Sequence, residues 1–173
     1  MKIAVIGLGY VGLPLAMVFA EAGVEVVGIE AEAARCEEGN AGRSYIQDVR
    51  GDALRAMVEK GLIRATTDYA ATEQCDAHII CLPTPLNANR EPDLTFVREA
   101  TRQLAGHLRR GQLVTLESTT YPGTTREELA PILEAGLADI VDGSERVHRE
   151  IGDGVWLEDA SGHSPGNYCI HAQ

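Results

Sequence analysis

The chain has 173 residues, of which 45% are hydrophobic, 24% charged and 5% aromatic, a globular composition that excludes a disordered chain or a fibrous repeat. A chain of this size buries roughly 70% of its unfolded surface, enough for one main domain. Fifteen Lys and Arg against 26 Asp and Glu give a formal charge of −11, which repels phosphate backbones and anionic membranes, so neither nucleic acid nor a membrane is expected as a partner.

In chain order, residues 2–6 (Lys-Ile-Ala-Val-Ile) form the short apolar run of a strand buried on both faces. Lys2 ahead of an apolar stretch that ends in Ala20-Glu21-Ala22 imitates a secretory leader. Gly7, Gly9, Gly12 and Pro14 interrupt that stretch where a leader helix needs Leu or Ala, so a cytoplasmic chain is expected instead. Helical spacing follows over 11–21, Gly23 stops it, and 24–29 reads as a second buried strand. Helices are expected over 31–38 and 52–60, with a short strand over 62–65 between the second helix and the next element. The alternation resumes with strand 77–82, helix 94–108, strand 112–116 and helix 125–134, leaving loops at 39–51, 83–92 and 117–124. This pattern predicts an α/β fold, a Rossmann-like doubly wound parallel sheet.

From residue 138 the pattern stops. The stretch 138–173 holds seven acidic and two basic residues, five glycines and three of the five histidines. An irregular, acidic, Gly-rich C-terminal tail is expected there, either partly ordered or a sixth strand with an irregular extension. The domain division is therefore 1–137 and 138–173. Cys36, Cys75, Cys81 and Cys169 form no C-x-x-C pair, so reduced thiols are expected and no metal site.

The strongest local signal is Gly7-Leu8-Gly9-Tyr10-Val11-Gly12, placed after one buried strand and opening a helix. In that setting Gly7 serves a tight turn, Gly9 admits a pyrophosphate to the backbone N–H groups, and Gly12 lets helix and strand pack closely. Glu30 follows 18 residues after Gly12, at the end of the second strand, where a dinucleotide fold binds ribose hydroxyls. Its charge favours NAD over NADP, because it accepts hydrogen bonds from a 2′-hydroxyl and repels a 2′-phosphate. Arg35 is open between three roles: on the adenosine ribose, on a phosphate, or as a plain surface cation. Two further loops lie where such a sheet delivers its carboxyl ends, Leu82-Pro83-Thr84-Pro85 and Glu117-Ser118-Thr119-Thr120-Tyr121-Pro122-Gly123-Thr124-Thr125. Thr124 or Thr125 is expected to cap the helix that follows.

Together with Ser44-Tyr45-Ile46 before Asp48 and with Glu91-Pro92-Asp93-Leu94, these segments resemble the N-terminal domain of the UDP-glucose/GDP-mannose dehydrogenase family over residues 1–137. The first motif and the Glu117 loop are most similar to its UDP-N-acetyl-glucosamine 6-dehydrogenase branch, which serves polysaccharide synthesis. The resemblance implies an NAD-dependent, four-electron oxidation of a sugar C6 alcohol to a carboxylate, through an aldehyde and a cysteine thioester. By position it implies that Gly7, Gly9, Tyr10, Val11, Gly12, Glu30, Arg35, Pro83, Thr84 and Thr119 bind the cofactor and that Thr119 also lies near the reacting centre.

The family's catalytic Cys, Lys and Asn belong to later domains, and 173 residues cannot hold them. A chain truncated after its first domain is therefore expected, inactive alone, with a dinucleotide as ligand and a UDP-sugar only if further domains are supplied. Ser144-Glu145-Arg146-Val147 resembles a family motif without its proline, which makes Glu145 either a carboxylate for thioester hydrolysis or a solvated acid. Pro165-Gly166-Asn167-Tyr168-Cys169-Ile170 resembles the family's nucleophile loop only faintly. The competing expectation is a non-catalytic, NAD-sensing or partner-binding module.

Overall fold

The computed structural model describes residues 1–88, 90–109, 111–140, 155–159 and 168–172, with 137–140 and the last two segments described by backbone alone. The chain forms two compact units, Met1–Cys81 and Leu82–Gln173.

The first unit contains β1 (Lys2–Ile6), α1 (Gly12–Glu21), β2 (Glu25–Ile29), α2 (Ala33–Asn40), α3 (Gly51–Glu59), β3 (Ile63–Thr66) and β4 (Ala77–Ile80). β1 pairs in parallel with β2 and β4, and β2 with β3, giving the order β3-β2-β1-β4. Such strands are covered on both faces, which is why β1 and β2 read as unbroken apolar runs. Ile3, Val5, Leu13, Ala16, Met17, Val26, Leu54 and Ile63 belong to one buried cluster. A single 3₁₀ turn, Tyr69–Thr72, was not legible in the sequence; Asp68 opens it by accepting from the Ala70 N–H at 2.9 Å. Four residues are too few to carry a helical period.

β3 has a neighbour on one side within this unit, and Asn40 at the end of α2 engages it. The Asn40 side chain donates to the Ala65 carbonyl and accepts from the Ala65 N–H, both at 2.8 Å. This amide imitates the next strand of a ladder and satisfies backbone groups that an edge leaves open.

The second unit contains α4 (Thr95–Ala105), β5 (Leu113–Leu116), a π-helical turn (Thr125–Leu129) running into α5 (Ala130–Ile140), β6 (Val155–Asp159) and β7 (Tyr168–Ala172). β7 runs antiparallel to both β5 and β6, in the order β5-β7-β6. α4 and α5 pack closely because Gly136 has no side chain: a Cβ there would stand 2.5 Å from that of Ala105. Two sequence expectations change here. The helix expected over 125–134 extends to Ile140, and neither threonine side chain caps it: Thr124 Oγ1 donates to the Tyr121 carbonyl at 2.7 Å, and the buried Thr125 hydroxyl has no partner among the described residues. Of the stretch 138–173, the described part is the end of α5 and two strands. Glu145 lies outside the described residues.

The fold is α/β and Rossmann-like. Among the described residues no helix is long and apolar enough to cross a membrane.

Candidate functional site

β1 ends on a loop whose three glycines meet three different demands. Gly7 adopts a φ of 91°, a left-handed conformation that side chains disfavour, and its N–H donates to the Ile29 carbonyl at 2.8 Å. At Gly12 a Cβ would stand 1.8 Å from the Gly7 carbonyl oxygen, so the start of α1 touches the turn backbone to backbone. At Gly9 a Cβ would meet nothing within 4 Å. The start of α1, three residues on, has no side-chain cap among the described residues and no acid in its first turn. The Leu13 N–H already donates to the Gly9 carbonyl at 3.1 Å and Pro14 carries no N–H, so it is the positive end of the helix dipole that suits an anion there. Tyr10 and Val11, between the glycines, are exposed.

Glu30, directly after β2, is only 7% exposed. Its Oε2 accepts from the Leu8 N–H at 3.2 Å and its Oε1 from the Glu32 N–H at 3.3 Å. A carboxylate offers about four acceptor positions, so these contacts orient it and leave capacity for a ligand's hydroxyls. Gly28 leaves room for the Leu8 side chain, which a Cβ there would overlap at 2.5 Å. The Cys36 thiol lies 3.7 Å from the Glu30 carbonyl, and burial together with the Glu30 charge pushes it up.

Arg35, on α2, places Nε 3.2 Å from the Glu32 carboxylate and Cζ 5.6 Å from the centre of the Tyr45 ring. Tyr45 is carried on the loop between α2 and α3. Ser44 fixes its backbone by donating to the Ile46 carbonyl at 2.9 Å and accepting from the Ile46 N–H at 3.2 Å, while Ile46 and Val49 are buried. The Tyr45 hydroxyl is buried without a partner among the described residues, and burial first, then the Glu30 charge, pushes it up to about 12.

The second unit brings Thr84 and Thr119 together. Thr84 Oγ1 donates to the Thr119 carbonyl at 2.6 Å, and the Leu82 N–H donates to the buried Ser118 hydroxyl at 3.2 Å. Pro83 and the Thr119 side chain are exposed. The Glu117 loop is tied down further on, where the Tyr121 hydroxyl donates to Glu128 at 2.9 Å and Arg98 pairs with the same carboxylate at 2.8 Å. The Arg98 guanidinium holds the Glu128 carboxyl below the usual carboxylate range.

The first unit thus assembles Gly7, Gly9, Gly12, Glu30 and Arg35, and the second Pro83, Thr84 and Thr119. Sequence reasoning missed the Leu8 and Ser118 bonds and the contact of Arg35 with the Tyr45 ring. For Leu8 a signal existed: a glycine inside a strand, Gly28, marks a close approach.

The profile of the UDP-glucose/GDP-mannose dehydrogenase family, NAD binding domain, matches residues 1–149. The chain is 42% identical over 139 residues to NDP-N-acetyl-D-galactosaminuronic acid dehydrogenase of Ralstonia nicotianae, covering 80% of this chain and 32% of that protein. It is 40% identical over 132 residues to UDP-N-acetyl-D-glucosamine 6-dehydrogenase of Salmonella typhi, covering 76% and 30%. Among solved structures, the UDP-D-ManNAc dehydrogenase of Pyrococcus horikoshii superposes with a TM-score of 0.78 at 34% identity, over 96% of this chain and 37% of that one. The chain spans about a third of the length of these relatives. The chain belongs to the UDP-glucose/GDP-mannose dehydrogenase family of NAD-dependent oxidoreductases and represents its NAD-binding domain.

Proposed function

We propose that this chain supplies the cofactor half of a nucleotide-sugar dehydrogenase that oxidises the C6 alcohol of a UDP-sugar to a carboxylate. The observation that carries the reading is Glu30: a nearly buried carboxylate, oriented by the Leu8 N–H of the glycine loop, at the end of β2. The open space at Gly9 and the uncapped start of α1 fit a pyrophosphate, and Glu30 fits the adenosine ribose. Bound NAD supplies the hydride acceptor. The residues of this chain do the rest of the cofactor's positioning: the loop of Gly7, Gly9, Tyr10, Val11 and Gly12 takes the phosphates through its backbone, Glu30 and Arg35 take the ribose, and Pro83, Thr84 and Thr119 present the loops of the second unit. Thr119 and Glu145 are assigned to the sugar side by their places in the family's motifs. A cytoplasmic location belongs to the same reading, because Cys36, Cys75, Cys81 and Cys169 form no C-x-x-C pair in a chain of this length.

The test is a titration of wild type and Glu30→Gln with NAD and with NADP, followed by calorimetry. Wild type should prefer NAD by about tenfold or more, the scale of one lost charge-assisted bond. Glu30→Gln should lose most of that preference by tolerating the 2′-phosphate. Equal affinities in wild type, or an unaltered preference in the variant, would refute the assignment of Glu30.

A further inference from the structure

Tyr45 lies within reach of the ribose-binding carboxylate yet has no part in the function so far assigned. Three observations converge on it. Its ring carries the Arg35 guanidinium on its face, 5.6 Å from the centroid. Arg35 is also paired with Glu32, whose own N–H bonds the Glu30 carboxylate, so ring, cation and carboxylates form one connected cluster. The loop bearing Tyr45 is anchored on both sides of it, by the Ser44 hydroxyl and by buried Ile46 and Val49.

We propose that Tyr45 is a positioning residue for cofactor choice: its ring holds the Arg35 guanidinium against Glu32, so that the cation serves a ribose bearing free hydroxyls and is kept from closing on a 2′-phosphate. The inference rests on the assignment of Glu30 to the ribose. An arginine five residues beyond that carboxylate is the group that offsets its repulsion toward a phosphorylated ribose when it is free to turn. Stacking on an aromatic face is directional for a guanidinium and ties its plane to the ring. Glu32 takes up one of its donors and part of its charge. The unpartnered Tyr45 hydroxyl separates the ring's action from the hydroxyl's: a phenylalanine keeps the face and removes only a group that has no partner among the described residues.

The experiment measures NAD and NADP dissociation constants by calorimetry for wild type, Tyr45→Leu, Tyr45→Phe, Arg35→Met and the Tyr45→Leu/Arg35→Met double variant, with melting curves to confirm folding. Tyr45→Leu should narrow the NAD:NADP ratio by about two- to fivefold, the range of an exposed cation–π contact. Tyr45→Phe should restore the wild-type ratio. In the Arg35→Met background, Tyr45→Leu should change nothing, because its effect passes through the arginine. A ratio unchanged in Tyr45→Leu, or narrowed equally in Tyr45→Phe, overturns the proposal, the second result by giving the role to the hydroxyl. If Glu30→Gln shifts the ratio and Tyr45→Leu does not, this inference alone falls; if Glu30→Gln also leaves it untouched, the ribose assignment falls first.

Discussion

The glycine loop makes a prediction in which stability and binding separate. At Gly12 an added methyl would stand 1.8 Å from the Gly7 carbonyl oxygen, 3.0 Å from its carbon and 3.2 Å from Val5 Cγ1. The first two are backbone atoms, so relief requires the start of α1 to move off the β1 turn. Overpacking of this kind costs about 1–3 kcal/mol or more, out of a total stability of about 5–15 kcal/mol. Gly12→Ala should therefore melt about 2–12 °C below wild type, at about 2–4 °C per kcal/mol for a chain of this size. Gly9 shares with Gly12 a φ outside the positive region but differs in the room around it, since a Cβ there meets nothing within 4 Å. Gly9→Val should keep the wild-type melting temperature within about 3 °C, since substitutions away from packed contacts cost under about 0.5–1 kcal/mol. Yet its branched side chain would fill the space proposed for the pyrophosphate, and NAD affinity should fall at least about tenfold. Differential scanning calorimetry without ligand and isothermal titration with NAD measure the two effects. A Gly9→Val protein that binds NAD like wild type, or a Gly12→Ala protein that melts like it, would refute this division of labour.

Asn40→Ala removes both 2.8 Å bonds to Ala65 and should cost about 1–3 kcal/mol in urea unfolding, with NAD affinity little changed; an unchanged midpoint would show that water replaces the amide at no cost. Tyr45 predicts an alkaline loss of stability. Its hydroxyl is raised from 10.0 to about 12, so the folded chain keeps a proton that the unfolded chain gives up. The contribution is fully present below about pH 10 and is lost as pH rises from about 10 to 12. Unfolding curves of Tyr45→Phe should be flatter than those of wild type across that window, and parallel curves would refute the burial of the hydroxyl.

Legibility followed the length scale of each interaction. β1, α1 and β2 were readable because their cues are local: an apolar run, helical spacing, glycines at the joints. Glu30 was readable because the βαβ unit fixes its distance from the loop. The contacts that shape the site were not, since they join residues far apart in sequence: Leu8 with Glu30, Thr84 with Thr119, Leu82 with Ser118, Asn40 with Ala65. Neither the capping role expected of Thr124 and Thr125 nor the end of α5 survived the structure. A π-helical turn at Thr125–Leu129 shifts the backbone register there, and nothing in hydrophobic period announces it. In the stretch 138–173 a sixth strand was one of two readings left open, and neither the bounds of β6 nor β7 could be placed, because the stretch is acidic and Gly-rich, with few apolar residues to alternate.

A chain with a formal charge of −11 that takes an anionic dinucleotide presents an electrostatic problem, and the placement of its charges resolves it. Beyond about 8 Å, physiological salt screens exposed carboxylates from a bound phosphate, so the total charge counts for less than the groups in contact. At contact the order of poles decides. The start of α1 offers N–H groups with no acid in its first turn, while Glu25 is paired with Lys2 at 2.6 Å and Glu32 with Arg35 at 3.2 Å. Glu30, nearly buried and bonded by the Leu8 N–H, is the carboxylate proposed for the ribose, where its charge would accept from hydroxyls. On the proposed assignment, one negative group beside the sugar and one positive pole beside the phosphates would select a dinucleotide whose only phosphates lie in its bridge, since a phosphate on the ribose would sit where the charge is of the wrong sign.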